Sequence, residues 1–227
     1  MINQTPTFRY MSTHQRIREF YSVLYEAYGS QGWWPGEDTL EIILGAILTQ
    51  NTSWKNAKKA IDNLKREGLI SVEGLRLISL DELAQLIRPS GYYNQKAVKV
   101  KNFIGFLVEE YGGDLGKMLS EDTKRFRSKL LRIRGIGPET ADSILLYAAK
   151  RPVFVVDTYT YRILLRHNLI GEETTYEEIQ NLFMDSLPQD TGLFNEYHAL
   201  LVKLGKERCR KKPICKGCPL EYDPHNV

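Results

Sequence analysis

The 227-residue chain is 42% hydrophobic and 26% charged, an ordinary balance for a folded protein with a buried core, which excludes a disordered or fibrous one. Its net charge of +3 is too mild to mark a nucleic-acid binder by itself. No apolar run approaches the roughly 20 residues of a membrane span, Met1–Tyr10 lacks the apolar segment of a secretory leader, and the expectation is a cytoplasmic monomer without a membrane partner.

The pattern along the chain is helical throughout, so the expected fold class is all-α. Residues 12–29 carry Ile17, Phe20, Tyr21, Leu24, Tyr25 and Tyr28 at helical spacing, with Ser12 or Thr13 as cap and Gly29 as stop. Trp33-Trp34-Pro35-Gly36 follows, two large aromatics in a turn. Such rings cover cores in most loops, and they also stack on flat heterocycles. Asp38 to Gln50 is apolar on most sides and reads as a central buried helix. Its end, Thr49-Gln50-Asn51-Thr52-Ser53, is polar, and Thr52 or Ser53 can cap a helix over Lys55 to Glu67. A short helix over Asp81–Ile87 closes at Arg88-Pro89-Ser90-Gly91. Tyr92-Tyr93-Asn94-Gln95-Lys96 then leads into a helix that runs to Tyr111. Further helices are expected over Asp122–Ile133, Glu139–Ala149, 158–168, 176–187 and 192–207. No strand pattern and no internal repeat is present.

Between two of these helices lies Gly135-Ile136-Gly137-Pro138. Glycine at 135 and 137 permits positive φ and close approach of another backbone, and Pro138 suits the first turn of a helix. Backbone N–H groups left bare there would form an anion site. Lys124, Arg125, Arg127, Lys129, Arg132 and Arg134 precede it, so a polyanion is the fitting ligand. A tight turn in a helical bundle would read the same way. Basic residues also crowd 94–103 and 203–216, while 171–185 is acidic, an asymmetry that suits one DNA-facing side or simply a solvated face. After the hairpin an apolar run ends in Val155-Val156-Asp157-Thr158. Asp157 is placed either as an ordinary helix cap or as a rigidly held carboxylate. All three cysteines fall within Cys209–Cys218, which is not how a secreted disulfide framework is spaced.

Trp-Trp-Pro at 33–35, Leu-Thr-Gln-Asn-Thr at 48–52, Arg-Pro-Ser-Gly-Tyr-Tyr-Asn-Gln-Lys-Ala at 88–97, Gly-Ile-Gly-x-Glu-x-Ala-Asp at 135–142 and the Val-Val-Asp-Thr step resemble, in this order, the helix–hairpin–helix DNA glycosylases of the endonuclease III superfamily. Within it they are most similar to the 3-methyladenine branch. The resemblance implies two helical lobes, residues 37–150 and residues 1–36 with 151–227, with double-stranded DNA in the cleft between them. It implies Asp157 as the catalytic carboxylate and Trp33, Trp34, Pro35 and Glu139 in the base pocket, with Tyr92, Tyr93 and Tyr161 as further candidate walls. It assigns DNA contacts to Gln50, Asn51, Asn94, Lys96, Arg134, Gly135, Gly137, Lys206 and Lys211, with Gln50 entering the duplex beside the extruded nucleotide. Cys209, Cys215 and Cys218 resemble the loop that holds a [4Fe-4S] cluster. The first spacing is one residue short and a fourth cysteine is missing, which leaves His225 or Asp223 as fourth ligand, Cys3His zinc, or a metal-free loop.

Bifunctional members of the superfamily carry a lysine two residues after the second hairpin glycine, where it attacks the sugar as a Schiff-base nucleophile. Here that position is Glu139, which cannot form an imine. The resemblance therefore implies a monofunctional enzyme that releases damaged, alkylated bases by hydrolysis. The alternatives are a bifunctional glycosylase/lyase for oxidised pyrimidines and a non-catalytic DNA-binding hairpin protein.

Overall fold

A computed structural model describes residues 11–33 and 38–226. It is all-helical, and among the described residues there is no strand. No helix there is long and apolar enough to cross a membrane. The chain divides into two compact units, one contiguous over Trp34–Arg151 and one assembled from Met1–Trp33 with Pro152–Val227.

The contiguous unit is built around α2 (Thr39–Leu48), capped by Asp38. Leu40, Ile43, Leu44, Ala46, Ile47 and Leu48 are all buried, because α3 (Trp54–Arg66), α6 (Tyr93–Tyr111) and the helix after the hairpin pack around it. Each such side chain contributes about 1.5–3 kcal/mol by leaving water. Ser53 caps α3. The periodicity did not announce α4 (Val72–Leu77) or α7 (Leu115–Leu119), whose one to two turns are too short to show it. α5 spans Leu80–Leu86 and begins with a capping box from Ser79 and Glu82.

The hairpin joins α8 (Thr123–Arg132) to α9 (Pro138–Ser143), which continues as a π-helical turn over Ile144–Ala148. The wide turn closes by Ala149 N–H donating to Ile144 O at 2.9 Å. The Arg151 guanidinium then donates to Leu119 O at 3.0 Å, tying this end back to α7. Across the hairpin Arg127 grips the fully buried Asp142 with two bonds, at 2.6 and 2.9 Å. That geometry is the strong, bidentate form of an ion pair.

In the second unit α1 (Thr13–Tyr28) lays Ile17, Phe20 and Leu24 against α11 (Tyr176–Ser186) and α12 (Thr191–Glu207). Phe154 and Phe183 stack at 3.9 Å with Phe194 and Tyr197 edge-on to Phe154, and the Tyr197 hydroxyl donates to Ile17 O. Val153–Val156 runs extended through this core, and Gln180 donates to Phe154 O at 2.6 Å. The run delivers Asp157 to the start of α10 (Thr158–Arg166), which packs on α12.

Candidate functional site

The residues singled out by the sequence fall into both units. In the contiguous unit the hairpin turn is asymmetric. Gly135 alone takes positive φ, +98°, and a Cβ there would meet Lys99 Cγ at 2.5 Å. Gly137 has φ −97° as N-cap of α9, so of the two glycines only Gly135 uses the left-handed freedom. What glycine gives at 137 is room: a Cβ would meet nothing within 4 Å, and the helix starts without a capping side chain. Gly135, Gly137 and Arg134 are exposed, and Asn102 donates to Arg134 O at 2.9 Å.

Gln50 is wired to this turn. Its amide donates to Gly135 O at 3.1 Å and to Thr140 Oγ1 at 2.8 Å, while its oxygen accepts from Lys99. Asn51 beside it is exposed and adopts φ +52°. Asn94 is exposed as well, in the first turn of α6. Lys96 is not on the surface. It is 1% exposed and its ammonium donates to Leu48 O at 2.8 Å and Ser90 O at 2.7 Å, closing the C-terminal end of α2 onto the 88–90 turn. A phosphate cannot reach it, and the DNA contact expected of Lys96 is withdrawn. Glu139 is exposed in the first turn of α9. Tyr92 is also exposed, at φ +46°.

In the second unit Asp157 caps α10. Its Oδ1 accepts from Thr160 N–H at 2.7 Å and from the Thr160 hydroxyl at 2.9 Å, and Oδ2 lies 3.6 Å from His198 Nε2. Burial alone would raise its pKa, but His198 and Thr160 outweigh burial and hold the carboxyl below its ordinary value. The group is therefore ionised at neutral pH while 10% of its side chain remains open. Neither His198 nor Thr160 stood out in the sequence. The Asp-x-x-Thr spacing of a cap and its third helical residue was a usable signal for Thr160, but a single histidine in an apolar helix gives none.

Two residues beyond Asp157, the Tyr159 ring packs so closely on α12 that a Cβ at Gly205 would collide with it. Lys206, exposed, lies 5.6 Å from the Trp33 ring centroid and 6.0 Å from that of Tyr159. The Tyr161 hydroxyl donates to Glu172 O. Trp34 and Pro35 lie outside the described residues.

Cys209 is buried and accepts from Arg166 Nη1 at 3.0 Å. Together with Cys215, Cys218 and His225 it lines one recess, partly open to solvent. Burial, and then the neighbouring thiols Cys209 and Cys215, push the Cys218 thiol up. Asp223 is already engaged: Arg16 grips both oxygens and His167 Nδ1 lies 2.7 Å from Oδ2, so metal ligation would compete with three bonds. His225 Nδ1 donates to Asp223 O at 2.7 Å, which leaves the lone pair on Nε2. Among the described residues no three His, Cys, Asp or Glu side chains converge on a point that one metal ion could occupy. Lys211 is exposed in this loop.

The profile of the HhH-GPD superfamily of base excision DNA repair proteins matches residues 44–189, which is well over half of the chain. The chain belongs to that superfamily. It is a DNA glycosylase of base excision repair. It is 47% identical over 209 residues to a Methanocaldococcus jannaschii protein provisionally named a DNA repair glycosylase, covering 91% of this chain and 94% of that one. Endonuclease III of Thermotoga maritima is 30% identical over 185 residues, 81% of each. Among solved structures, H. pylori 3-methyladenine DNA glycosylase (MagIII) bound to 1,N6-ethenoadenine is 28% identical with a TM-score of 0.73, covering 87% of this chain and 98% of that one. A non-covalent endonuclease III–DNA complex, 22% identical and covering 93% and 95%, shares the fold with a TM-score of 0.79.

Proposed function

We propose that this glycosylase is monofunctional and releases alkylated, 3-methyladenine-type bases from double-stranded DNA by hydrolysis, with Asp157 as the reacting carboxylate. The observation that carries the reading is the residue two places after the second hairpin glycine. Position 139, where bifunctional relatives hold the nucleophilic lysine, is a glutamate. Lys129 is ion-paired to Glu121 and Glu110, and an ammonium so held is no nucleophile. Lys96, whose pKa burial pushes down to about 8, and Lys101 are each bonded to backbone carbonyls.

Cleaving the N-glycosidic bond builds positive charge on the sugar. An ionised carboxylate rigidly capped by Thr160 suits electrostatic stabilisation of that charge and orientation of the attacking water. A purine alkylated at ring nitrogen N3 or N7 is already cationic and leaves without strong acid assistance, so one carboxylate can suffice. Trp33 with Lys206 and Tyr159 offers a stacking surface, and the ethenoadenine in the 28%-identical relative supports a modified-purine substrate. The exposed Gly137 turn and Arg134, Lys206 and Lys211 are assigned to phosphate, and Gln50 with Asn51 to the gap left by the flipped base. A released Gln50 would free Gly135 O and Thr140.

Cys209, Cys215 and Cys218, with His225 lining the same recess, would hold a [4Fe-4S] cluster of the kind the cysteine pattern resembles. A cluster there would brace the loop that carries Lys211.

The test incubates purified protein with N-methylated duplex. Free 3-methyladenine and an intact abasic strand are expected, and borohydride should trap no protein–DNA adduct. Efficient trapping by the unmodified protein would show that a lysine attacks the sugar after all and would establish the bifunctional alternative.

A further inference from the structure

Resting on the reading of Asp157 as the reacting carboxylate, we infer that His198 is its positioning residue, the imidazole holding the oxygen that Thr160 does not. Both bonds from Thr160 go to Oδ1, which fixes one oxygen and one edge of the carboxylate. Oδ2 has His198 Nε2 at 3.6 Å, a distance that closes to a hydrogen bond with a small rotation of either side chain. The two side chains are 7% and 10% exposed, so the pair sits where water screens little.

The surroundings make the imidazole informative. α12 buries Tyr197, Ala199, Leu200 and Leu201 on either side of it, so packing alone would be met by another apolar residue. Other groups of the flanking helices are engaged elsewhere: Arg162 donates to Cys209 O and Gly205 O, Lys206 lies over Trp33 and Tyr159, Glu196 accepts from Ser30 and Gln31, and Lys203 lies over Tyr28. Tyr176 on α11 stands 3.4 Å from Val156 N–H. His198 faces Oδ2 of Asp157, and with Thr160 it holds the carboxyl below its ordinary value. Through Thr160 the start of α10 sets where Asp157 is; through His198 α12 sets which way its second oxygen points.

Two variants test this, H198L, which keeps bulk and removes the donor, and H198Q, whose amide restores one. The carboxyl carbon of Asp157, assigned by its disappearance in D157N, is titrated by 13C NMR with no substrate present. In H198L its midpoint should rise by about 0.5–1 pH unit, and in H198Q by clearly less. Single-turnover release of 3-methyladenine by H198L should fall about tenfold or more at unchanged DNA affinity, its acid limb moving to higher pH, with most of the rate recovered in H198Q. An unmoved midpoint in H198L overturns the inference, as does an H198Q that loses as much as H198L. Should H198L fail to fold, the H198Q titration and rate decide between the two outcomes alone. An active D157N would sink the catalytic reading while leaving the titration of the pair to be judged on its own.

Discussion

The second unit contains two buried aspartates, each beside a histidine, and they are built to opposite ends. Asp223 is 2% exposed, with both oxygens gripped by Arg16 and a third bond from His167. Both oxygens are engaged, so the group ties α1 and the end of α10 to the C-terminal segment. Asp157 is 10% exposed, bonded firmly through one oxygen and loosely through the other. A carboxylate that must meet a developing charge needs a fixed position and an unfilled side. The contrast separates a structural carboxylate from the one proposed to react more sharply than charge does, since both are held ionised.

The largest expected effects come from the same conservative change at each. Asparagine is as good an N-cap as aspartate, so D157N should keep its melting temperature within a few degrees while base release falls on the order of 10²–10³-fold. D223N should do the reverse, lowering stability by about 3 kcal/mol and leaving turnover per folded molecule intact. Burial alone would raise Asp223, but His167 and Arg16 hold it below its ordinary value. Its contribution is thus present above the unfolded pKa near about 4 and fades as pH falls through the folded one. The acid arm of the stability curve should flatten in D223N. Equal losses of rate and stability in both variants would erase the distinction.

The same contrast extends to the hairpin. Because Gly137 has ordinary φ and open space around it, G137V should fold at near-wild-type stability. Binding should nonetheless weaken roughly tenfold to damaged and undamaged duplex alike, since phosphate contacts carry no sequence or lesion information. Loss for one lesion only would place this turn against the base. The smallest effect distinguishes two lysines. K206A should reduce the slope of log affinity against log salt by about one, whereas K96M should leave it unchanged and report instead through stability.

Most of the helices were legible because apolar residues recur at helical spacing and caps stand where periodicity begins, as at Ser12, Asp38 and Ser53. The place of Asp157 as the cap of α10 was legible because it opens Thr158–Arg162. Its environment was not, because His198 lies on another helix whose apolar pattern gives a histidine no special mark. Lys96 misleads for a related reason. It sits in a basic stretch, which suggests surface, yet its register with Val100, Phe103 and Leu107 puts it on the buried stripe of α6. There periodicity outweighs charge, and Lys96 escapes the cost of burial by meeting the carbonyls that end α2. The π-helical turn after α9 left no sign, since Ile144–Ala148 is buried all round and any helical period fits it.

The assembly of the second unit from the two ends of the chain has a consequence for its synthesis. α1 emerges from the ribosome with Ile17, Phe20 and Leu24 exposed, and its partners α11 and α12 lie some 150 residues downstream. At about 5–20 residues per second, that apolar stripe waits on the order of ten seconds or more, while the whole contiguous unit has time to fold. The nascent chain is thus a finished helix–hairpin–helix unit joined to an unpaired helix, a natural client for a chaperone that binds apolar segments. The apolar face of α1 is covered only once the last helix has been made.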